Sequence, residues 1–352
     1  MVPVLSAIGL FFALSGFSAA PPAEPRLSIE RGQARPQPGR LVLDGDFADP
    51  FVLRAGRGYY AFASGARGTH LQVAKSPDLT NWTRSDDPLP RLPGWAARTE
   101  GLTWAPAVLA RGDSFVLYYT TRDASSGFQC ISRAVAASPE GPYLDGSRAA
   151  MICQVGGHRG GAGAAAPEAT LCGSIDPSPF VDADGTAYLL WKSDENAAAC
   201  RTAPRLWSQR LAPDGLELLG TPTALLARDR GWEGDIVEAP SMIRHGDAYY
   251  LFYSANWYDS SAYAIGYAVC SSPTSGCRKM TGAGPLLASA GGLLGPGGQE
   301  LFTDADGALW MAYHAWTAPR AGYQAGGERR LRLARLAFGA DGAPLATLSG
   351  AP

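Results

Sequence analysis

The chain has 352 residues, enough for a well-buried core, and its 30 Lys and Arg nearly balance its 32 Asp and Glu. With no long basic run, that balance argues against nucleic acid or an anionic membrane as a partner. Helical periodicity is nearly absent, while Gly and Pro recur at strand-length intervals, so the fold class reads as all-β.

Residues 1–20 read as a signal peptide, because an apolar run from Leu5 to Phe17 ends in Ser18-Ala19-Ala20, small residues suited to signal peptidase. The run is short for a membrane span. No Lys or Arg precedes it, so an uncleaved N-terminal anchor is the competing reading. Residues 21–40, rich in Pro and Arg without periodicity, read as a flexible tether. The mature chain is therefore expected to be secreted or periplasmic, free of the membrane. Its six cysteines fit an oxidising compartment. Cys270 and Cys277 close a short loop and are expected to pair, whereas Cys130, Cys153, Cys172 and Cys200 leave three possible pairings. A zinc site is the rival reading of these cysteines, but none of them shows Cys-x-x-Cys spacing.

From residue 41 to about 345 the chain carries an internal repeat. Five segments share one plan, a polar or aromatic opening residue, a short apolar run, a Gly turn and an aromatic-rich strand. They open at Asp49, Trp104, Asp176, Glu238 and Gln299, and their turns fall at Gly58, Gly112, Gly185, Gly246 and Gly307. One such unit cannot bury its apolar face alone, so radial packing of the units must supply the core. The expectation is a single-domain five-bladed β-propeller over residues 41–345. The repeat also absorbs several local motifs. Arg111-Gly112-Asp113 resembles an adhesion tripeptide but occupies the same turn as His245-Gly246-Asp247. Asp182-Ala-Asp184-Gly185 and Asp304-Ala-Asp306-Gly307 resemble the start of a calcium loop without its later ligands, and read as hairpin turns.

In a propeller the leading ends of the innermost strands converge on one axis. Three acids, Asp49, Asp176 and Glu238, would therefore share a pocket with Trp104 and Gln299. Asp before Pro is a common turn opening, which covers Asp49 or Asp176 taken singly. Glu238, flanked by the apolar Ile236 and Val237, does not fit that explanation. Such a set suits glycoside hydrolysis, in which one carboxylic acid protonates the leaving oxygen and one carboxylate activates water or attacks the anomeric carbon. A third carboxyl nearby can raise the donor's pKa by like-charge repulsion. Trp104 would offer an apolar face to a sugar ring.

Phe47-Ala-Asp49-Pro, Ser174-Ile-Asp176-Pro-Ser and Val237-Glu238-Ala-Pro-Ser resemble the three signatures of glycoside hydrolase family 43. Trp104-Ala-Pro, the segment Lys75–Trp82, Gly295-Pro-Gly-Gly-Gln299 and Ala312-Tyr-His314-Ala-Trp316 are similar to further family segments, in the same order. The resemblance implies a five-bladed propeller that inverts at the anomeric carbon of arabinose- or xylose-containing substrates. It makes Asp49 the general base, Glu238 the general acid and Asp176 the residue that tunes and orients the acid. It assigns His314 to the pocket floor, where it would hold a structural calcium through water, and assigns Arg330, or its neighbour Arg329, to the sugar. No cofactor is otherwise required. Many endo-arabinanases carry His where this chain has Gly298, a departure that counts against the calcium and the endo-arabinanase readings; the first expectation is an α-L-arabinofuranosidase, monomeric by default. β-Xylosidase and endo-1,5-α-L-arabinanase are the alternatives within the chemistry, and a non-catalytic sugar-binding propeller is the alternative outside it. A serine hydrolase is set aside because no Gly-x-Ser-x-Gly elbow occurs in the mature chain.

Overall fold

The computed structural model describes Met1 and residues 40–66, 68–154, 172–195 and 203–347. The signal-peptide and tether readings, and Cys200, lie outside the described residues. Among those residues the fold is all-β, the single helical turn being a 3₁₀ segment at Gly231–Glu233.

Five antiparallel sheets stand as five blades. Blade 1 holds strands Phe51–Ala55, Gly58–Ser64, Leu71–Ser76 and Thr83–Arg84; blade 2 holds Thr103–Arg111, Ser114–Arg122 and Gln129–Ala136. Blade 3 comprises Ser174–Val181, Ala187–Ser193, Arg205–Leu211 and Leu218–Ala227, and blade 4 comprises Val237–His245, Ala248–Ala255, Ala264–Cys270 and Arg278–Lys279. Blade 5 takes Leu293–Thr303, Leu309–Thr317 and Arg329–Phe338 from the end of the chain. Both Arg40–Leu41 and Pro344–Thr347 pair with its third strand, so the N-terminal segment closes the ring on the last blade.

The core is divided radially, as the repeat required. Phe62, Leu71 and Tyr143 of blade 1 and its neighbours meet Leu117 and Tyr119 of blade 2 in one apolar cluster. Tyr118, Ile131, Leu189 and Trp191 join blades 2 and 3. Leu190, Leu206, Leu251 and Tyr253 join blades 3 and 4. Two further clusters join blade 4 to 5 and blade 5 to 1. Each second strand is buried on both sides because it packs against both neighbouring blades, which explains its run of aliphatic and aromatic residues.

Two-residue turns at Gly56-Arg57, Gly112-Asp113 and Gly246-Asp247 join the inner hairpins of blades 1, 2 and 4. The first Gly of each has positive φ, near 59°, 54° and 60°. In blade 1 the turn residue is thus Gly56, and the expected Gly58 is the first residue of the next strand. The two Asp-Ala-Asp-Gly segments close hairpins through bonds between Asp182 and Thr186 and between Asp304 and Ala308, as expected. Cys270 pairs with Cys277, and Cys130 with Cys153. Cys172 is also disulfide-bonded.

The register of the repeat differs by one residue from the sequence reading in three blades. Each inner hairpin is interrupted by a bulge whose first residue has positive φ: Asp49, Ala105, Asp176, Ala239 and Gly298. These five are the structural equivalents. Trp104 and Glu238 stand one residue before that position, and Gln299 one after. Bulges re-aim side chains. Here they turn Asp49 and Asp176 toward the axis from the bulge itself, and Glu238 from the last paired residue before it.

Candidate active site

The residue facing each bulge on the second strand is Ser64, Thr120, Lys192, Ser254 and His314 in blades 1 to 5. Four of them accept a hydrogen bond from the bulge N–H of the next blade. Ala105 N–H donates to Ser64 Oγ (2.9 Å), Asp176 N–H to Thr120 Oγ1 (3.2 Å), Gly298 N–H to Ser254 Oγ (2.9 Å) and Asp49 N–H to His314 Nδ1 (3.0 Å). This ring ties the inner edges together around the axis and fixes the backbone that carries the acids. Lys192 breaks the pattern, since an ammonium has donors only. Ala239 N–H turns instead to Asp176 Oδ2, at 2.9 Å.

Above the ring lies a cavity of about 800 Å³ lined by all five blades, with Asp49, Trp104, Asp176 and Glu238 among its walls. The three acids expected to converge do converge. Asp49 is gripped by Arg329, whose Nη1 lies 3.1 Å from Oδ1, while Ser64 donates to Oδ2. Burial pushes the Asp49 carboxyl up, but the guanidinium and the hydroxyl outweigh it and hold its pKa below the usual Asp value. Arg329 is held in turn by Tyr323, whose hydroxyl accepts from Nε at 2.9 Å, and lies over the rings of Tyr258, Tyr323 and Trp316. Such a cage fixes the guanidinium by cation–π attraction.

Asp176 is in the opposite state. Burial and the nearby Glu238 push its pKa from 3.8 to about 8, despite the opposing pull of Lys192. Glu238 itself is 8% exposed. Its Oε1 accepts from the Tyr263 hydroxyl at 2.8 Å, and its Oε2 lies 3.0 Å from Lys192 Nζ. Asp176, buried beside Glu238, therefore keeps its proton near neutral pH, facing a carboxylate that is kept ionised.

One expected contact is corrected, and two other residues are placed by their hydrogen bonds. Arg330 points away from the pocket to Glu328 and Asp44. On a strand, neighbouring residues face opposite sides, so it is Arg329 that reaches the acids. His314 is fully buried beneath Asp49, stacked on Tyr263, and its Nδ1 accepts the Asp49 N–H. Gln299 lines the pocket wall, and its amide also ties blade 5 to blade 4 through Ser254 Oγ (2.7 Å) and the Ala239 carbonyl (2.6 Å).

The donor chemistry also bears on the expected calcium. Burial drives the pKa of His314 down to about 3, so the ring is neutral. Because Nδ1 accepts from Asp49, the proton sits on Nε2, which is buried with no hydrogen-bond partner among the described residues. An N–H offers no lone pair to a cation, so this ring does not fit a directly bound calcium; a water is the contact it can hold. Among the described residues no group of three or more His, Cys, Asp or Glu is placed to hold a metal ion. Gly298 belongs to the same corner: a Cβ there would stand 2.5 Å from the His314 ring and 3.1 Å from Asp49 Oδ1.

Over residues 39–344 the chain matches the family described as Glycosyl hydrolases family 43. The chain belongs to that family. An extracellular endo-α-(1→5)-L-arabinanase of Thermotoga petrophila is 32% identical over 162 residues, covering 41% of this family 43 chain and 33% of the relative. An extracellular exo-α-(1→5)-L-arabinofuranosidase of Cellvibrio japonicus is 27% identical over 230 residues, 60% of this chain and 59% of the relative. The matches thus span a third and rather more than half of those curated relatives. The crystal structure of a thermostable family-43 glycoside hydrolase superposes with TM-score 0.75 at 30% identity, covering 90% of this chain and 98% of that one.

Lys192, Tyr263 and the aromatic cage of Arg329 are absent from the sequence reading. Lys192 was within reach of it: aligning the trailing ends of the repeat's second strands, as well as its leading ends, sets a lone lysine among Ser64, Thr120, Ser254 and His314.

Proposed function

We propose that the chain is a secreted, inverting α-L-arabinofuranosidase acting on arabinose-containing plant polysaccharides or their oligosaccharides. The observation that carries this reading is the division of charge in the pocket, with Asp49 held ionised by Arg329 and Ser64 and a proton retained in the corner where Asp176 meets Glu238. Inversion needs that pairing. Asp49 takes a proton from a water whose oxygen bonds to the anomeric carbon. The bond from that carbon to the glycosidic oxygen breaks, and Glu238 gives its proton to the departing oxygen. Asp176 stands beside Glu238 and accepts the Ala239 N–H, fixing the backbone that carries the acid. Base and acid carboxyls roughly 6.5–9.5 Å apart leave room for the water. Trp104 and Trp257 give the pocket apolar faces for a furanose ring. The arabinan-active relatives and the disulfides support the substrate class and the extracellular location.

Endo-arabinanase is the second reading, favoured by the name of the Thermotoga petrophila relative. The crowded Gly298, where many endo-arabinanases carry His, favours the first.

Hydrolysis of p-nitrophenyl α-L-arabinofuranoside and β-D-xylopyranoside, beside linear arabinan, tests the proposal. Arabinose release from the first, with arabinose rather than oligosaccharides from arabinan, is expected, and Glu238→Gln should abolish turnover of arabinan. Release from the xyloside alone, or from none by folded protein, would overturn it.

A further inference from the structure

Lys192 stands at the one place where the inner ring departs from its own pattern. At this position blades 1, 2, 4 and 5 carry a side chain that accepts the next blade's N–H. A Ser or Thr would serve blade 3 equally well. Instead a lysine, 0% exposed, occupies the site, and an uncompensated ammonium there would cost several kcal/mol. Its Nζ lies 3.0 Å from Glu238 Oε2 and 3.4 Å from Asp194 Oδ1. The lysine thus has two consequences for the chemistry: it reaches Glu238 directly, and it diverts the Ala239 N–H onto Asp176.

We infer that Lys192 is a positioning residue which holds the Glu238 carboxyl in its donating orientation and sets the pH at which the neighbouring Asp176 gives up its proton. The inference rests on the assignment of Glu238 as the general acid. Lys192, Asp176 and Tyr263 are the titratable groups set against Glu238, with Tyr258 more distant on the pocket wall; Glu238, Asp176, Asp194 and Glu195 are carboxyls that interact with Lys192. Asp49 and Arg329 stand across the pocket and belong to the base. An ammonium there favours an ionised carboxyl, so Asp176 loses its proton at a lower pH than it would without the lysine. The fold thereby keeps the crowded acid strong enough to protonate a sugar oxygen. Burial and like charge alone would make it a weak, proton-retaining carboxyl.

The test compares wild type, Lys192→Met and Lys192→Arg on an arabino-oligosaccharide, a poor leaving group, and on 2,4-dinitrophenyl α-L-arabinofuranoside, which departs without a proton. In Lys192→Met the alkaline limb of kcat/KM is expected to move up by about one pH unit. Its kcat on the oligosaccharide should fall about tenfold with KM little changed, and kcat on the dinitrophenyl glycoside should stay within about twofold. Lys192→Arg keeps the charge and should keep the alkaline limb. The ratio of the two substrates does not depend on how much of a variant is folded, so a poorly folding Lys192→Met remains informative. An unmoved alkaline limb, or equal losses on both substrates, overturns the role of Lys192. Inactive wild type, or full activity of Glu238→Gln on the oligosaccharide, would instead overturn the catalytic assignment beneath it.

Discussion

Asp49 and Asp176 occupy equivalent bulges of two blades, each with positive φ before a proline, and the sequence around them is nearly the same. Their environments are not. Asp49 faces a guanidinium caged by three aromatic rings and keeps its charge, whereas Asp176 faces a second carboxylate in a buried corner and keeps a proton. The difference originates away from either bulge, in Arg329 on the third strand of blade 5 and in Glu238 on the neighbouring blade. A repeated backbone thus supplies position, and a single non-repeated neighbour supplies chemistry.

The largest effects should come from removing the acids themselves. Asp49→Asn should lower kcat by 10³-fold or more on every substrate, since the water loses its base whatever the leaving group. Glu238→Gln should show a comparable loss on oligosaccharides but a small one on the dinitrophenyl glycoside. Equal profiles for the two variants would erase the contrast between the two sides. Next comes Arg329→Met, which strips Asp49 of its main counter-charge. The pKa of Asp49 then rises, so the acid limb of kcat/KM moves toward neutral by one to two units, read directly from the pH profile. An acid limb that stays in place would mean that Asp49 is not the group titrating there.

Tyr263→Phe is a smaller perturbation on the other side. It removes one donor from Glu238 Oε1 while keeping the ring that packs on Gly297 and His314. A loss of a few-fold in kcat on oligosaccharides is expected, with the alkaline limb moving up by less than in Lys192→Met. Smallest for activity is Glu300→Gln. Glu300 lies one residue beyond Gln299, bonded by the Ser178 and Ser241 hydroxyls, and burial pushes its pKa from 4.5 to about 7. Between those values the folded chain keeps a proton that the unfolded chain releases, so stability falls as pH rises through the window. The loss is on the order of 3 kcal/mol. Calorimetry at pH 4.5 and 7.5 should show Glu300→Gln losing less Tm than wild type over that interval. Parallel losses would show that Glu300 does not hold its proton in the fold.

How much of this was legible in the sequence follows from the same contrast. The blades, their hairpins and the three acids recur along the chain, and recurrence is visible without coordinates. The register was read one residue off at Trp104, Glu238 and Gln299, because a bulge shifts pairing without altering composition. Arg330 was preferred to Arg329 because adjacent strand residues look alike until the facing side is known. His314 reads as a pocket residue on its strand, and only the bond from Asp49 N–H shows it lying underneath. Lys192, Tyr263 and the ring of inter-blade hydrogen bonds depend on contacts between distant segments, which local patterns do not encode.

The pH dependence of kcat/KM on an arabino-oligosaccharide tests the central division of charge most directly. The structure calls for an acid limb below the ordinary Asp value of about 4, set by Asp49, and an alkaline limb near pH 8, set by Asp176. A broad plateau between them would support a pocket with one carboxylate kept charged and a facing corner kept protonated. An alkaline limb at an ordinary carboxylate value, about 4 to 5, would contradict it, because the corner facing Asp49 would then hold no proton at neutral pH.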